Sequence, residues 1–261
     1  MLNKITHYAG ALVRGIANGT LIRTTNRYLR SLRLERITES RIGLTVQSGP
    51  FAGMQYIRVP PGYAFIPKVL GIYEQELHRL VNDLLRNGYI TLINVGSAEG
   101  YYAVGFAYSD PEIRVYAFDI DLREQDHCRA LVSANHLDSR VTIGGRCDFA
   151  ELERLINEKT LIVMDCEGCE YDLLDLERAP SLARADMLVE IHDYQGKQNG
   201  TDILTARFAS THEITVISSV PRRVEDYPAL NFLRDPAARQ RAVTEREGHQ
   251  DWIFFRSRQR R

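Results

Sequence analysis

From Tyr89 onward, short apolar runs alternate with helical patterns, and this alternation constrains the fold more than any other feature of the chain. Tyr89 to Val95, Arg114 to Phe118, Arg140 to Ile143, Leu161 to Met164 and Met187 to Ile191 read as strands. Helical spacing fills the gaps: Tyr101 to Tyr108, Leu122 to His136, Phe149 to Glu158 and Glu170 to Glu177, with Thr201 capping a helix to Ala209. Strands that are apolar throughout have both faces covered, which predicts a mainly parallel sheet between two layers of helices. Two further strands, Glu213 to Val220 and Asp251 to Ser257, bring the sheet to seven. Their polar, arginine-rich connection, residues 220–250, runs for about thirty residues and is expected to form a lid or substrate wall. The expectation is an α/β, Rossmann-like domain over residues 71–261.

The preceding residues differ in character. Residues 1–42 carry eight Lys or Arg against Glu35 and Glu39, with Leu29, Leu32 and Leu34 interleaved, and read as a basic helical arm. Basic amphipathic segments contact anionic membranes peripherally; the plainer reading is a solvated arm packed on its own domain or on the second subunit of a homo-oligomer. Across residues 43–70, Ile42 to Gln47 and Met54 to Val59 alternate around a glycine-containing loop and predict a hairpin, followed by an irregular connection marked by Pro60, Pro61 and Pro67. Glu74 to Arg86 has the clearest helical face: Leu77, Leu80, Val81, Leu84 and Leu85, with Glu74 and Glu76 in the first turn and Asn87-Gly88 as the stop.

Composition narrows the function classes. A net charge of -1 gives no general attraction to nucleic acid. No Asn-Pro-Pro-Tyr or Asp-Pro-Pro-Tyr ends the fourth strand to grip a flipped base, so no nucleic-acid partner is expected. Cys128, Cys147, Cys166 and Cys169 are too few for a disulfide scaffold, and no secretory leader or bilayer-length apolar run is evident, which together predict a cytoplasmic protein. Cys166-Glu167-Gly168-Cys169 matches C-x-x-C, yet no second ligand pair lies nearby to complete a zinc site. A thioredoxin-like redox pair is one reading of the motif, and two buried cysteines behaving as small apolar residues is the other.

The sharpest local signal is Asn94-Val95-Gly96-Ser97-Ala98-Glu99-Gly100, a glycine turn between strand and helix. Ligands of such sheets bind beyond the carboxyl ends of the strands, and glycine lets them approach the backbone. Asp119 closes the next strand 23 residues after Gly96, where a carboxylate can accept from both hydroxyls of a ribose. A dinucleotide fingerprint wants glycine where Ala98 stands, and Glu99 beside a diphosphate is unfavourable but beside a cationic sulfonium is favourable. The choice therefore falls on S-adenosylmethionine over NAD, with an NAD(P)-dependent oxidoreductase or a non-catalytic cofactor-binding scaffold as alternatives.

Three segments carry a family resemblance. Ile93 to Tyr102, Met164-Asp165-Cys166-Glu167-Gly168-Cys169-Glu170-Tyr171 and Val189-Glu190-Ile191-His192 resemble signature segments of FkbM-type methyltransferases. Gly71-Ile72-Tyr73-Glu74 is similar to the segment that often precedes that domain. The resemblance spans roughly Pro67 to Asp193. It implies a class I methyltransferase fold, S-adenosylmethionine as donor and a hydroxyl acceptor on a sugar, glycan or natural product. It also implies that Gly96, Ser97, Glu99 and Gly100 face the donor's methionine part, Asp119 the ribose, and Cys147 and Asp148 the adenine, with Asp165 by the methyl group. Glu74, Asn94, Ala98 and Ile120 complete the expected cofactor site. Two departures stand out: Asn94 occupies a position where an acid is common, and Asp119 lacks the usual following proline.

Transfer to oxygen needs a group to take up the hydroxyl proton. Glu190 and His192 lie two apart on one strand and share a face. His192 is the expected base, oriented by Asp165 or Glu190, against the reading of a satisfied histidine in a polar cleft. Asp165, Glu190, His192 and Asp193 also form an oxygen-rich set that suits magnesium or manganese, though the spacing does not demand a metal. Glu167 is expected to accept backbone N–H groups at the start of the following helix.

Overall fold

The computed structural model describes residues 20–60, 62–192, 199–246 and 248–259, with side chains from residue 28. Asp193 and residues 1–19 lie outside them. Strands β1 (Thr91–Val95), β2 (Arg114–Phe118), β3 (Val141–Gly144), β4 (Thr160–Met164), β5 (Asp186–Glu190), β6 (His212–Ser218) and β7 (Asp251–Ser257) form one sheet in the order β3-β2-β1-β4-β5-β7-β6. The first five are parallel, and β7 is inserted antiparallel between β5 and β6. This is the class I methyltransferase fold, a departure from the all-parallel order of the dinucleotide-binding sheet. Among the described residues, no helix is long and apolar enough to cross a membrane.

Two-residue periodicity divides the strands between two cores. Leu92, Leu161, Val163, Leu188, Trp252 and Phe254 face one; Ile93, Ile162, Met164, Val189, Ile253 and Phe255 face the other. Helices α1 (Thr20–Ile42), α2 (Phe65–Leu70), α3 (His78–Arg86), α4 (Tyr101–Ser109), α5 (Leu122–Ala134), α6 (Phe149–Leu155), α7 (Glu170–Leu173), α8 (Gly200–Phe208) and α9 (Pro236–Val243) follow in order. The first core gathers α3, α4 and α5, and the second gathers α6 and α8.

Departures from expectation concentrate where polar groups are drawn inward. The helix expected from Glu74 begins at His78, after a 3-10 turn at Gln75–Leu77. Glu74 adopts a left-handed conformation, φ 47°. That backbone turns its carboxylate into the interior, where Tyr102 and Arg246 bond it, instead of leaving it in an exposed first turn. The helix expected over Glu170 to Glu177 is a single turn, α7. Arg207 bonds the carbonyls of Tyr171 and Leu174, and Asp175 accepts from Glu177 N–H, so these groups are satisfied without further helix. The expected hairpin is present in short form: an antiparallel bridge, Thr45–Gln55, is flanked by Val46 N–H to Met54 O and Tyr56 N–H to Leu44 O, with Met54 and Tyr56 facing the first core. Residues 220–250 hold two 3-10 turns and α9, whose Ala242 and Val243 are buried in the first core.

Candidate functional site

The turn after β1 is shaped by close backbone approach. Gly96 has φ +73°, and a Cβ there would lie 1.7 Å from the Asp165 carbonyl, so only glycine lets β1 and β4 end side by side. Gly96 and Ser97 donate to Phe118 O, Gly100 donates to Ser97 O, and Ala98 N–H donates to Asp119 Oδ2 at 2.9 Å. Asp119 Oδ1 accepts from Asp121 N–H. These bonds fasten the ends of β1 and β2 together and fix the Asp119 carboxylate at the rim.

Beyond these ends lies a cavity of about 1030 Å³. Gly96, Ala98, Asp119, Ile120, Cys147, Asp148 and Asp165 of the expected cofactor site line it. Glu74, Asn94, Ser97, Glu99 and Gly100 are not among its lining residues. Asn94 and Ser97 are buried, and their Oδ1 and Oγ atoms lack a hydrogen-bond partner. Glu99, expected beside a sulfonium, is instead buried in an ion pair with Lys68, and Tyr56 O–H donates to the same oxygen at 2.8 Å. Lys68 Nζ also lies 4.6 Å from the centre of the Tyr73 ring. Lys68 gave no signal in the sequence, since its partner sits 31 residues away.

At the ends of β4 and β5 the acidic groups converge. Asp165, Glu190 and His192 each present an atom within 4.8 Å of the others. His192 Nδ1 is 3.0 Å from Glu170 Oε1, and Nε2 lies 3.5 Å from Asp165, 3.7 Å from Glu167 and 3.9 Å from Glu190. Glu170 is fully buried, so its carboxylate holds a proton on Nδ1 and leaves Nε2 toward Asp165. It also accepts from Cys166 N–H at 3.0 Å, the role expected of Glu167, whose own side chain is 87% exposed. Glu170 closes the Asp-x-Glu-Gly-x-Glu segment, and its helical position hid the role. Cys166 and Cys169 form a disulfide across this loop, with Cα atoms 5.5 Å apart, rather than standing as two free apolar cysteines. Cys128 and Cys147 are free and buried.

The electrostatics follow from burying so many acids around one guanidinium. Arg246 bonds both Glu190 and Glu74. Burial, then Asp165 and Glu74, pushes Glu190 up to about 10, and burial pushes Glu74 up to about 7 against the pull of Arg246. Burial likewise raises Asp165. Burial alone would lower His192, but the Glu170 hydrogen bond and the charges of Asp165, Glu170 and Glu167 outweigh it and raise it. Glu190 is thereby held in its protonated form at neutral pH, with Arg246 as the cation bonded to it.

No protein-family description matches the chain, and no curated protein does. Among solved structures it is similar to precorrin-6y C5,15-methyltransferase from Geobacter metallireducens, with 10% identity, TM-score 0.48, and 70% of this chain and 88% of that one covered. It is also similar to the O-methyltransferase TomG from Streptomyces achromogenes, solved with SAM, at 12% identity, TM-score 0.48 and coverage of 72% and 81%. An O-methyltransferase from Bacillus cereus, solved with SAH, is a third, at 13% identity, TM-score 0.47 and coverage of 88% and 91%.

Proposed function

We propose that the chain is an S-adenosylmethionine-dependent methyltransferase of FkbM type, acting on a hydroxyl of a sugar, glycan or natural-product acceptor. The observation that carries this reading is the set of Asp165, Glu190 and a Glu170-held His192 at the mouth of the Gly96 turn. The turn itself speaks against a dinucleotide: the N–H groups of Gly96, Ser97 and Ala98 are spent on Phe118 and Asp119, leaving none of the three for a diphosphate. This argument replaces the one drawn from Glu99, whose charge Lys68 takes up.

The residues present fit the donor. Asp119 stands at the rim for a ribose, and Cys147, Asp148 and Ile120 line the wall expected beside adenine. Bound there, S-adenosylmethionine would supply an electrophilic methyl group to the acceptor oxygen, whose hydroxyl proton must then be taken up. His192 Nε2 takes that proton, while Glu170 stabilises the imidazolium that results. The protonated Glu190 hydrogen-bonds Asp165 and Arg246 holds Glu190, so the carboxylates stay fixed around the reacting atoms.

A metal-assisted variant is favoured by one observation, the convergence of Asp165, Glu190 and His192. Arg246, already bonded to Glu190, weighs against it by placing a resident cation there. Transfer of labelled methyl from S-adenosylmethionine to a panel of hydroxylated acceptors, with and without magnesium, tests the reading. His192→Gln is expected to lower kcat by about 10²–10⁴-fold with donor affinity kept. Transfer at the full rate by that variant would remove His192 from the mechanism.

A further inference from the structure

Helix α1 divides its residues sharply between two sides. Positions three and four apart share a face, so Leu29, Arg30, Arg33, Arg36, Ile37 and Arg41 lie together on one side. All six are exposed, Leu29 by 53% and Ile37 by 38%. The opposite side carries Leu34 and Ile42, packed against the first core, and the buried Glu35 and Thr38. There the helix meets α2 and α9, so it is held by the folded domain while its outer side faces solvent.

That outer side is basic without compensation. The helix has six arginines and two glutamates, and both glutamates are withdrawn from the face: Glu35 is buried, and Glu39 bonds Arg58. Among the described residues, Arg30, Arg33, Arg36 and Arg41 make no ion pair. The whole chain carries a net charge of -1, so the face is a local concentration of positive charge on a nearly neutral molecule. Exposed arginines alone would suit any polyanion. Leu29 and Ile37 among them narrow the choice: aliphatic groups gain nothing from a phosphate backbone, but they leave water when a helix settles at the boundary between headgroups and acyl chains. A second copy of the chain meeting this face by two-fold symmetry would set arginine against arginine.

From this face we infer that α1 docks the protein on an anionic membrane surface. The helix lies along the bilayer and does not cross it, since six arginines rule out a span. Each arginine near such a surface strengthens binding about fivefold, so the four together supply a gain of about several hundredfold over a neutral bilayer. Leu29 and Ile37 enter the boundary region beneath the headgroups. The inference stands apart from the methyltransferase reading, because no residue of α1 lines the 1030 Å³ cavity.

Co-sedimentation of the full chain with vesicles tests this, using phosphatidylcholine alone and phosphatidylcholine with one-third phosphatidylserine. Binding is expected on the phosphatidylserine vesicles, about a hundredfold or more weaker on phosphatidylcholine, and falling as salt is raised. Arg33→Ser/Arg36→Ser is expected to weaken it about twentyfold. Leu29→Ser/Ile37→Ser is expected to weaken it at every salt concentration. Urea melts of both variants are expected to match the parent chain, because all four positions are exposed. No binding to phosphatidylserine vesicles, or binding unchanged by Arg33→Ser/Arg36→Ser, would overturn the inference. Tighter binding of these arginines to a single-stranded RNA oligonucleotide than to vesicles would overturn it in favour of nucleic acid. A dimer in sedimentation that Arg33→Ser/Arg36→Ser dissolves would overturn it in favour of a second copy of the chain.

Discussion

Gly96 and Glu170 show what single positions contribute. Gly96 was legible in the sequence as a turn glycine; the sequence did not show that the contact requiring it is the Asp165 carbonyl across the strand boundary. Gly96→Ala is expected to cost about 3 kcal/mol or more in urea unfolding and to abolish donor binding, because backbone must move at a left-handed position. Glu170 was quoted from the sequence only as part of a segment, since an acid opening a helix reads as a dipole partner. Its consequence is a pH effect. Glu170 raises His192, so with His192 as the proposed base the rate is expected to climb with pH through a value above the usual histidine 6.5. Glu170→Gln removes that bond and charge while burial remains, so the acid limb of the kcat profile is expected to move to lower pH and kcat to fall. An unchanged limb would show that His192 titrates without Glu170.

At the scale of elements, β2 and β7 occupy the residues expected from the sequence, because apolar stretches such as Trp252 to Phe255, bounded by polar residues, leave little freedom in register. The misread elements are those whose polar groups find distant partners: Glu74 bonds Arg246 across 172 residues, and Arg207 bonds Leu174 O across 33. Periodicity measures local amphipathicity and carries no information about such pairs. The turn before α4 is anchored on α2 by the same means. Lys68 and Glu99 are both buried, so removing either alone leaves an unpaired charge at a cost of about 3–5 kcal/mol. Lys68→Met and Glu99→Leu are each expected to destabilise by that amount, and the double variant to recover much of the loss. Simple additivity of the two in thermal or urea melts would show that the pair is not coupled in this way.

Over the whole molecule, a cavity of about 1030 Å³ lies beyond the ends of β1, β2 and β4, and a second of about 370 Å³ is lined by Arg246 and residues 219–222 and 243–245. The order of elements and the glycine turn were readable from sequence; the second cavity was not, since its wall joins residues 76, 219 and 244, each unremarkable alone. The disulfide across the Asp165 loop adds a checkable feature, for thiol titration of the native chain without reductant is expected to find no reactive cysteine, Cys128 and Cys147 being buried. The central claim is that the Gly96–Asp119 rim binds S-adenosylmethionine. Its most direct test is calorimetric titration with S-adenosylhomocysteine, NADH and the Asp119→Ala variant. Micromolar binding of S-adenosylhomocysteine, about tenfold or more weaker in Asp119→Ala, with NADH silent, is the expected result. No binding of S-adenosylhomocysteine, or a preference for NADH, would contradict it.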